Sequence, residues 1–249
     1  MCPNSVPPDF KPQRIIELYK ELGREVAAHG GTQGALTAVT HITAQAVPGA
    51  DYASVTRGSA GGVFRTLAAT DDAATRADQI QYEVGNGPCV DAAVKDGVFT
   101  SADLETDTRW PVFGPRAVDD TGIRSVLSIR MVLDEDDAVA ALNIYALARD
   151  AFDTDSRTIG TLLALHGAVA VSRVIIQDKA AHLEKALETS REIGMAMGVL
   201  MSTYKLTDGE AFDALRIASQ GAHRKVREVA LDVIHTGMLE LPQLPSAQH

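Results

Sequence analysis

Cysteine is almost absent from this 249-residue chain: it has only Cys2 and Cys89, and the first lies in a proline-rich start. Two cysteines so placed do not make a disulfide framework, which favours a reducing compartment. Histidines number seven, and none follows the H-x-x-x-H spacing or clusters with cysteine as a metal site would require. We therefore expect neither a metal nor a cofactor.

Long apolar runs are also missing, because no stretch approaches the roughly 18 apolar residues of a membrane-spanning helix. The first residues, MCPNSVPPDFKPQ, lack the basic region and apolar core of a signal peptide. No G-x-G-x-x-G, P-loop or G-x-S-x-G motif occurs. These absences predict a cytoplasmic protein with no membrane contact and no catalytic residues.

Positive charge is in deficit, with 23 Lys and Arg against 33 Asp and Glu and a formal net charge of -10. Such a balance argues against a broad surface that coats nucleic acid. Even residues 182–237, where basic side chains cluster, hold seven Lys and Arg against eight Asp and Glu. Any nucleic-acid recognition must therefore depend on a local cluster of cations and on RNA shape.

Hydrophobic periodicity divides the chain into an α+β part and an all-helical part. Residues 1–12 and 241–249 read as tails, 13–175 as the α+β part, 176–190 as a helical linker and 191–240 as a bundle. In the α+β part we expect helices, an antiparallel sheet that includes a hairpin with an acidic tip (134–137), and then a long helix. The predicted elements are helices at 15–26, 32–46, 73–83 and 109–122, and strands at 51–56, 63–69, 98–100, 125–133 and 138–146.

Several motifs in this part, in order, resemble the GAF domain, a small sensory fold, of the type found before ANTAR modules in actinobacteria. They are GNGPCVDA (85–92), Asp103-Leu104, RWPVF (109–113), Gly122 to Ser125, Ala141 to Tyr145, and Phe152. The resemblance implies a sensor whose input is an unknown small molecule or protein. Cys89 and Tyr145 are the candidate pocket residues. For Cys89 the alternative is a buried, inert thiol, and Trp110 is expected in the core.

The C-terminal part predicts three short helices. The first carries Gly194 and Gly198 on one face, where each glycine costs roughly 1 kcal/mol relative to alanine. Thr207 and Glu210 predict a capping box at the second helix. The cluster His223-Arg224-Lys225-Val226-Arg227 is placed in the first turn of the third helix, with His223 at its N-cap. Residues that lower the stability of a helix, with no local interaction that offsets the loss, indicate a functional site. The alternatives are close helix packing at the glycines and a solvated helix end at the cluster.

The same stretch resembles the ANTAR domain, the RNA-binding module of bacterial transcription antiterminators. The matching residues are Leu187, Ser190-Arg191, IGMAMGVLM (193–201), Ala211-Phe212, Leu215-Arg216, Ser219 and HRKVREVA (223–230). Met197 and His223 depart from the lysine and asparagine that many members have. The resemblance implies binding to hairpin loops in messenger RNA leaders. The candidate contact residues are Arg191, Gly194, Met197, Gly198, Met201, Ser219, His223, Arg224, Lys225 and Arg227.

Between the two parts, Ile176, Ala180, Leu183 and Leu187 follow the spacing of a coiled-coil seam, which predicts a homodimer through the linker helix. Two other functions compete with the RNA-binding regulator. The first is a DNA-binding regulator with a ligand-sensing domain, because a three-helix bundle with a basic last helix can enter a DNA major groove. The other is an enzyme, because some GAF-like proteins reduce methionine sulfoxide. That chemistry uses several cysteines, so we expect no enzyme.

Overall fold

The computed structural model describes residues 12–58, 63–95, 97–133 and 139–239. The chain forms two compact units, Met1–Asp178 and Lys179–His249. Outside the described residues lie the predicted tails (apart from Pro12), the turn at 59–62 and the acidic hairpin tip at 134–137.

The first unit combines helices with one sheet in the order that periodicity predicted. Its elements are α1 (Pro12–His29), α2 (Gly31–Ala46), β1 (Tyr52–Gly58), β2 (Phe64–Ala69), α3 (Asp72–Val84), α4 (Pro88–Lys95), β3 (Val98–Ser101), α5 (Phe113–Thr121), β4 (Ser125–Val132), β5 (Val139–Ala146) and the start of α6 (Thr154–Tyr204).

The five strands form one antiparallel sheet in the order β2-β1-β5-β4-β3. β4 and β5 pair along their whole length, from Ser125 opposite Ala146 to Val132 opposite Val139. The predicted hairpin is therefore present. The α+β class, an antiparallel sheet flanked by helices, is confirmed.

The alternation of β5 divides the core of this unit into two layers, since successive side chains point to opposite faces of a sheet. Leu142 and Ile144 pack with α2 and α6 on one face. Tyr145 packs with α3 and α5 on the other. On that second face, Asn143 is a buried polar residue at the centre of the sheet. This polar position locates the first candidate site.

Two local predictions in this unit need correction. The sequence reading passed over α4, which runs Pro88–Lys95 and begins with the proline that favours a first helical position. With only eight residues, this helix has too few turns to show a periodic pattern. The helix expected from Arg109 begins instead at Phe113 and ends at Gly122, which has a φ of 73°.

The second unit contains the last part of α6, followed by α7 (Asp208–Gly221) and α8 (Val226–Thr236). Its first helix is thus the end of a 51-residue helix and not a short helix of its own. The capping box at α7 is confirmed, because the Thr207 amide donates to Glu210 at 2.8 Å and the Thr207 hydroxyl accepts from the Glu210 amide. α8 ends at Gly237, as predicted. The core of the second unit includes Ala196, Leu200, Leu215, Ala230 and Val233.

Among the described residues, one helix, Thr154–Tyr204, is long and apolar enough by composition to cross a membrane, contrary to the expectation from the sequence. Of its most apolar 18-residue window, 39% is buried inside the protein. The core helix of a water-soluble protein meets the same criteria, so this feature is weak evidence for a membrane.

Candidate functional site

Four predicted contact residues follow one exposed face of α6 in the second unit: Arg191, Gly194, Gly198 and Met201. Their spacing of three and four residues places them one above another. A Cβ added at either glycine would meet no atom within 4 Å. The alternative explanation, close helix packing at these glycines, therefore does not hold within the described residues. We call these four residues the glycine strip.

The two methionines of this helix have different environments. Met197 is partly buried against the core of the second unit, whereas Met201 is 37% exposed on the glycine strip. Methionine is a common filler of irregular core gaps. Of the two predicted contacts, only Met201 presents its side chain on the strip.

The turn between α7 and α8 is held by Ser219 and Arg224. The Ser219 hydroxyl donates to the Arg224 carbonyl oxygen at 2.5 Å, and the Arg224 amide donates to the Ser219 carbonyl oxygen at 3.0 Å. Ser219 is 8% exposed, which fits a role in the turn. His223 has a φ of 51°, in the left-handed region where asparagine is favoured.

The third helix begins two residues later than the sequence suggested, so most of the basic cluster precedes it. Lys225, and not His223, is the N-cap of α8, and it makes no side-chain cap hydrogen bond. Only Arg227 lies in the first turn, because α8 begins at Val226. Arg224 and Lys225 therefore belong to the turn, where their side chains are exposed.

Both arginines of this cluster are held by carboxylates. Arg227 makes a bidentate contact with Glu192 of α6, from Nε at 2.5 Å and Nη2 at 3.0 Å. Glu188 lies 3.5 Å from the same guanidinium. Arg224 contacts Asp232 at 2.6 Å and Glu228 at 3.6 Å, both on α8.

Four cations of the second unit have no such partner among the described residues: Lys185, Arg191, Lys205 and Lys225. Arg191 and Arg227 line one groove of about 720 Å³, together with Ala181, Glu184, Lys185, Leu187 and Glu188. The groove therefore carries both paired and free cations beside the glycine strip.

The second candidate site is a buried polar cluster in the first unit, centred on Asp78 of α3. The carboxylate of Asp78 accepts hydrogen bonds from Tyr145 at 2.5 Å, Asn143 at 3.0 Å and Thr66 at 2.8 Å. The Asn143 side-chain nitrogen also lies 3.2 Å from the Cys89 sulfur, and Asn143 Oδ1 has no hydrogen-bond partner among the described residues. The two predicted pocket residues, Cys89 and Tyr145, therefore both contact this cluster.

Burial controls the protonation of the cluster, because a charged form loses its hydration there. It raises the pKa of Asp78 to about 6, although the hydrogen bond from Tyr145 and other hydroxyl groups opposes the change. Burial likewise raises the pKa of the Cys89 thiol to about 12, with the nearby Asp78 as a second cause. The thiol is therefore protonated at neutral pH, as expected of an inert buried cysteine.

Sequence reasoning missed the residues at the centre of both sites. Asp78 and Asn143 were not selected, although strand alternation places Asn143 on the same face as Tyr145. A polar residue at the middle of an apolar strand was the available signal. Glu192 was missed because its partner Arg227 lies 35 residues away in sequence.

Two further expectations concern Trp110 and metals. Trp110 is buried, and its indole N–H donates to Asp91 at 3.0 Å, so its placement in the core is confirmed. Among the described residues, no group of three or more His, Cys, Asp or Glu side chains is arranged to hold a metal ion.

Family comparisons match both parts of the chain. The GAF domain family matches residues 32–172, and the ANTAR domain family matches residues 181–234. A comparison with curated proteins finds no match.

Solved structures similar to this chain support the fold. One is the GAF domain of a phosphoenolpyruvate-protein phosphotransferase from Coxiella burnetii, with a TM-score of 0.52 and 16% identity over 67% of this chain and 98% of that one. Another is the phytochrome photosensory core module of Stigmatella aurantiaca, with a TM-score of 0.57 and 10% identity over 92% of this chain and 47% of that one. At these identities the likeness concerns the fold alone.

The GAF match covers more than half of the 249 residues, and the ANTAR match follows it directly. The chain therefore belongs to the GAF domain family and has the GAF–ANTAR architecture.

Proposed function

We propose that this protein is an RNA-binding transcription antitermination regulator whose ANTAR domain grips hairpin loops in messenger RNA leaders under the control of its GAF domain. The observation that carries the proposal is the glycine strip of an ANTAR domain, which is open to solvent and whose Arg191 lines one groove with Arg227. Binding to loops would prevent a terminator, or a structure that masks the ribosome site, from forming.

The strip suits single-stranded loops because it combines a flat surface with nearby cations. Unstacked bases are commonly held by stacking and by contacts to their edges, while cations hold the phosphates. Gly194 and Gly198 let a base or sugar approach the helix backbone, and exposed Met201 offers a polarizable apolar contact. Arg191 and Lys225 supply charge without first breaking an ion pair.

The proposal includes a homodimer that joins through α6. The predicted seam is exposed, with Ile176 at 64% and both Leu183 and Leu187 at 62% exposure. Exposed apolar residues at coiled-coil spacing favour pairing with a second copy of the helix. Two linked ANTAR modules would then hold two hairpins with an affinity neither module reaches alone.

The GAF domain is proposed to receive the input, a small molecule or a protein. Cys89 and Tyr145 remain candidate pocket residues through their contacts with Asn143 and Asp78. The raised pKa of Cys89 disfavours a sulfoxide-reducing enzyme, since the thiolate is the reactive form. We place the protein in the cytoplasm as a regulator without catalytic activity.

DNA binding through α8 is the less favoured alternative. Glu228 and Asp232 lie on the exposed side of this helix, both half exposed to solvent. In a major groove these carboxylates would face a dense array of phosphates, which they repel.

The proposal is tested by comparing three ligands at one stated salt concentration: RNA with two hairpins, RNA with one hairpin, and duplex DNA of equal length. We expect the two-hairpin RNA to bind at least about tenfold more tightly than the single hairpin, through linked modules. Gel shift with sedimentation velocity gives affinity and stoichiometry. Equal or tighter binding to the duplex DNA would contradict the RNA assignment.

The glycine strip makes a separate prediction in which stability and binding change in opposite directions. Gly194→Ala and Gly198→Ala should each raise the free energy of unfolding of the second unit by roughly 1 kcal/mol, because alanine favours the helix and meets no atom. The same substitutions should weaken binding of the two-hairpin RNA. Thermal melts followed by circular dichroism and gel shifts measure the two effects.

Gly209→Ala is the matched control, since α7 also has room for a Cβ at that position, away from the strip. It should leave RNA affinity unchanged. Wild-type affinity in both strip variants would show that nothing approaches the helix backbone there.

A further inference from the structure

The ion pairs of Arg227 have a geometry suited to competition with RNA. Glu192 occupies Nε and Nη2 of the guanidinium, the two donors that would otherwise form a fork for a phosphate. The Glu192 side chain is 13% exposed and that of Arg227 is 32% exposed. The hydrogen bonds from Arg227 lower the pKa of Glu192, so the carboxylate is charged at neutral pH.

Carboxylate and phosphate oxygens recognise the same face of an arginine. A phosphate that takes this Nε–Nη2 fork of Arg227 must therefore displace Glu192, and the freed carboxylate remains near the bound anion. Arg191 lies one position before Glu192 on α6 and has no ion pair among the described residues. α6 thus presents both the unpaired cation Arg191 and the carboxylate of Glu192, which occupies Arg227 of α8.

We infer that Glu192 is an affinity-determining residue: it occupies Arg227 as an internal substitute for RNA phosphate and keeps binding weaker than the basic turn alone would give. This inference rests on the proposed RNA-binding function. Glu188, the more distant carboxylate at 3.5 Å, supports the same competition. The affinity for RNA then depends on how much more favourably Arg227 binds an RNA phosphate than the Glu192 carboxylate. The number of cations alone does not determine it.

The salt dependence of RNA affinity distinguishes this competition from an ion pair that only stabilises the fold. Each phosphate contact releases cations condensed on the RNA, and this release makes affinity fall with salt. The freed Glu192 carboxylate attracts a cation back, which reduces the net release. Removing its charge should therefore both tighten binding and steepen the salt dependence.

The experiment compares full-length wild type with Glu192→Gln, using the two-hairpin RNA between low and physiological salt. We expect Glu192→Gln to bind about threefold to fivefold more tightly at low salt, the range of a partly exposed ion pair. The slope of log affinity against log salt should become steeper. Circular dichroism checks that the fold of the variant is retained.

Asp213→Asn is the matched control, because it removes a carboxylate from the Arg216 ion pair on α7 with the same change in net charge. Its affinity should stay within about twofold of the wild type. If Glu192→Gln binds as the wild type does, or tightens no more than Asp213→Asn, the inference is overturned while RNA binding stands. If no form binds the RNA, the inference and the proposed function are both overturned.

Discussion

Asp78→Asn should make the stability of the GAF domain less dependent on pH between about pH 4 and pH 7.5. Burial in the folded protein raises the pKa of Asp78 to about 6 from its ordinary value of 3.8. The stabilisation from the protonated form is therefore complete below the unfolded pKa and is lost as the pH rises through the folded pKa. Asparagine has no proton to lose, so the variant avoids this loss.

The size of the effect follows from the shift, because each pKa unit corresponds to about 1.36 kcal/mol. The advantage of Asp78→Asn over the wild type should grow by about 2.4 kcal/mol from pH 4 to pH 7.5. The amide can preserve the contacts: its oxygen accepts from Tyr145 and Asn143, and its nitrogen can donate to Thr66. The carboxylate has no lysine, arginine or histidine partner among the described residues, so the substitution leaves no cation unpaired.

Trp110 provides the measurement, because the only tryptophan is buried in the same core layer as Tyr145. Urea unfolding followed by its fluorescence reports on the GAF domain. The comparison uses the difference between variant and wild type, since Asp107 and Asp153 have lowered pKa values and add an opposite pH dependence to both. Asp119→Asn makes the same chemical change on the exposed side of α5. If the curves of Asp78→Asn and the wild type run parallel, Asp78 does not carry the raised pKa.

Periodicity predicted the elements that bury a regular face. β4 and β5 alternate because one side of each strand enters the core, and the stripe of α8 reflects a single buried face. α4 has only eight residues and gave no such pattern. A long helix after the sheet was also expected, and α6 continues without a break into the first helix of the second unit.

The candidate sites were predictable where the signal is local and unpredictable where it depends on pairing. The cost of glycine in a helix identified Gly194 and Gly198 from two residues alone, and both are open to solvent. The Asp78 cluster joins residues 67 positions apart at its Tyr145 contact. Only the folded chain could bring these residues together.

The same limit applies to the basic turn. A count of charges could show that cations and carboxylates nearly balance in residues 182–237, but it could not assign partners. The fold pairs Arg224 within α8 and Arg227 with α6. Among the described residues these pairs leave Arg191 and Lys225 unpaired, as are Lys185 and Lys205.

Replacing both paired arginines should nevertheless cause the largest loss of RNA binding. In the proposed complex, Arg224 and Arg227 exchange their carboxylate partners for phosphates. Arg224→Ala/Arg227→Ala should weaken binding of the two-hairpin RNA by about 10- to 100-fold, since hydrogen bonds to charged groups are worth about 1.5–3 kcal/mol each and part is offset by the broken ion pairs. The salt slope should fall by at most about 1.4 for each module, at roughly 0.7 per phosphate on a single strand, because the freed carboxylates take up cations in the complex.

The fold should survive this change, because the Arg224 and Arg227 side chains are partly exposed and the turn is held by the Arg224 backbone and Ser219. Helix content by circular dichroism should match the wild type. Lys20→Ala/Arg24→Ala removes the same charge from α1 and should change affinity little, because α1 belongs to the GAF unit. Wild-type affinity and an unchanged slope in the double-arginine variant would mean that RNA does not contact the basic turn. The glycine strip with Arg191 and Lys225 would then be the only surface left to hold the loop.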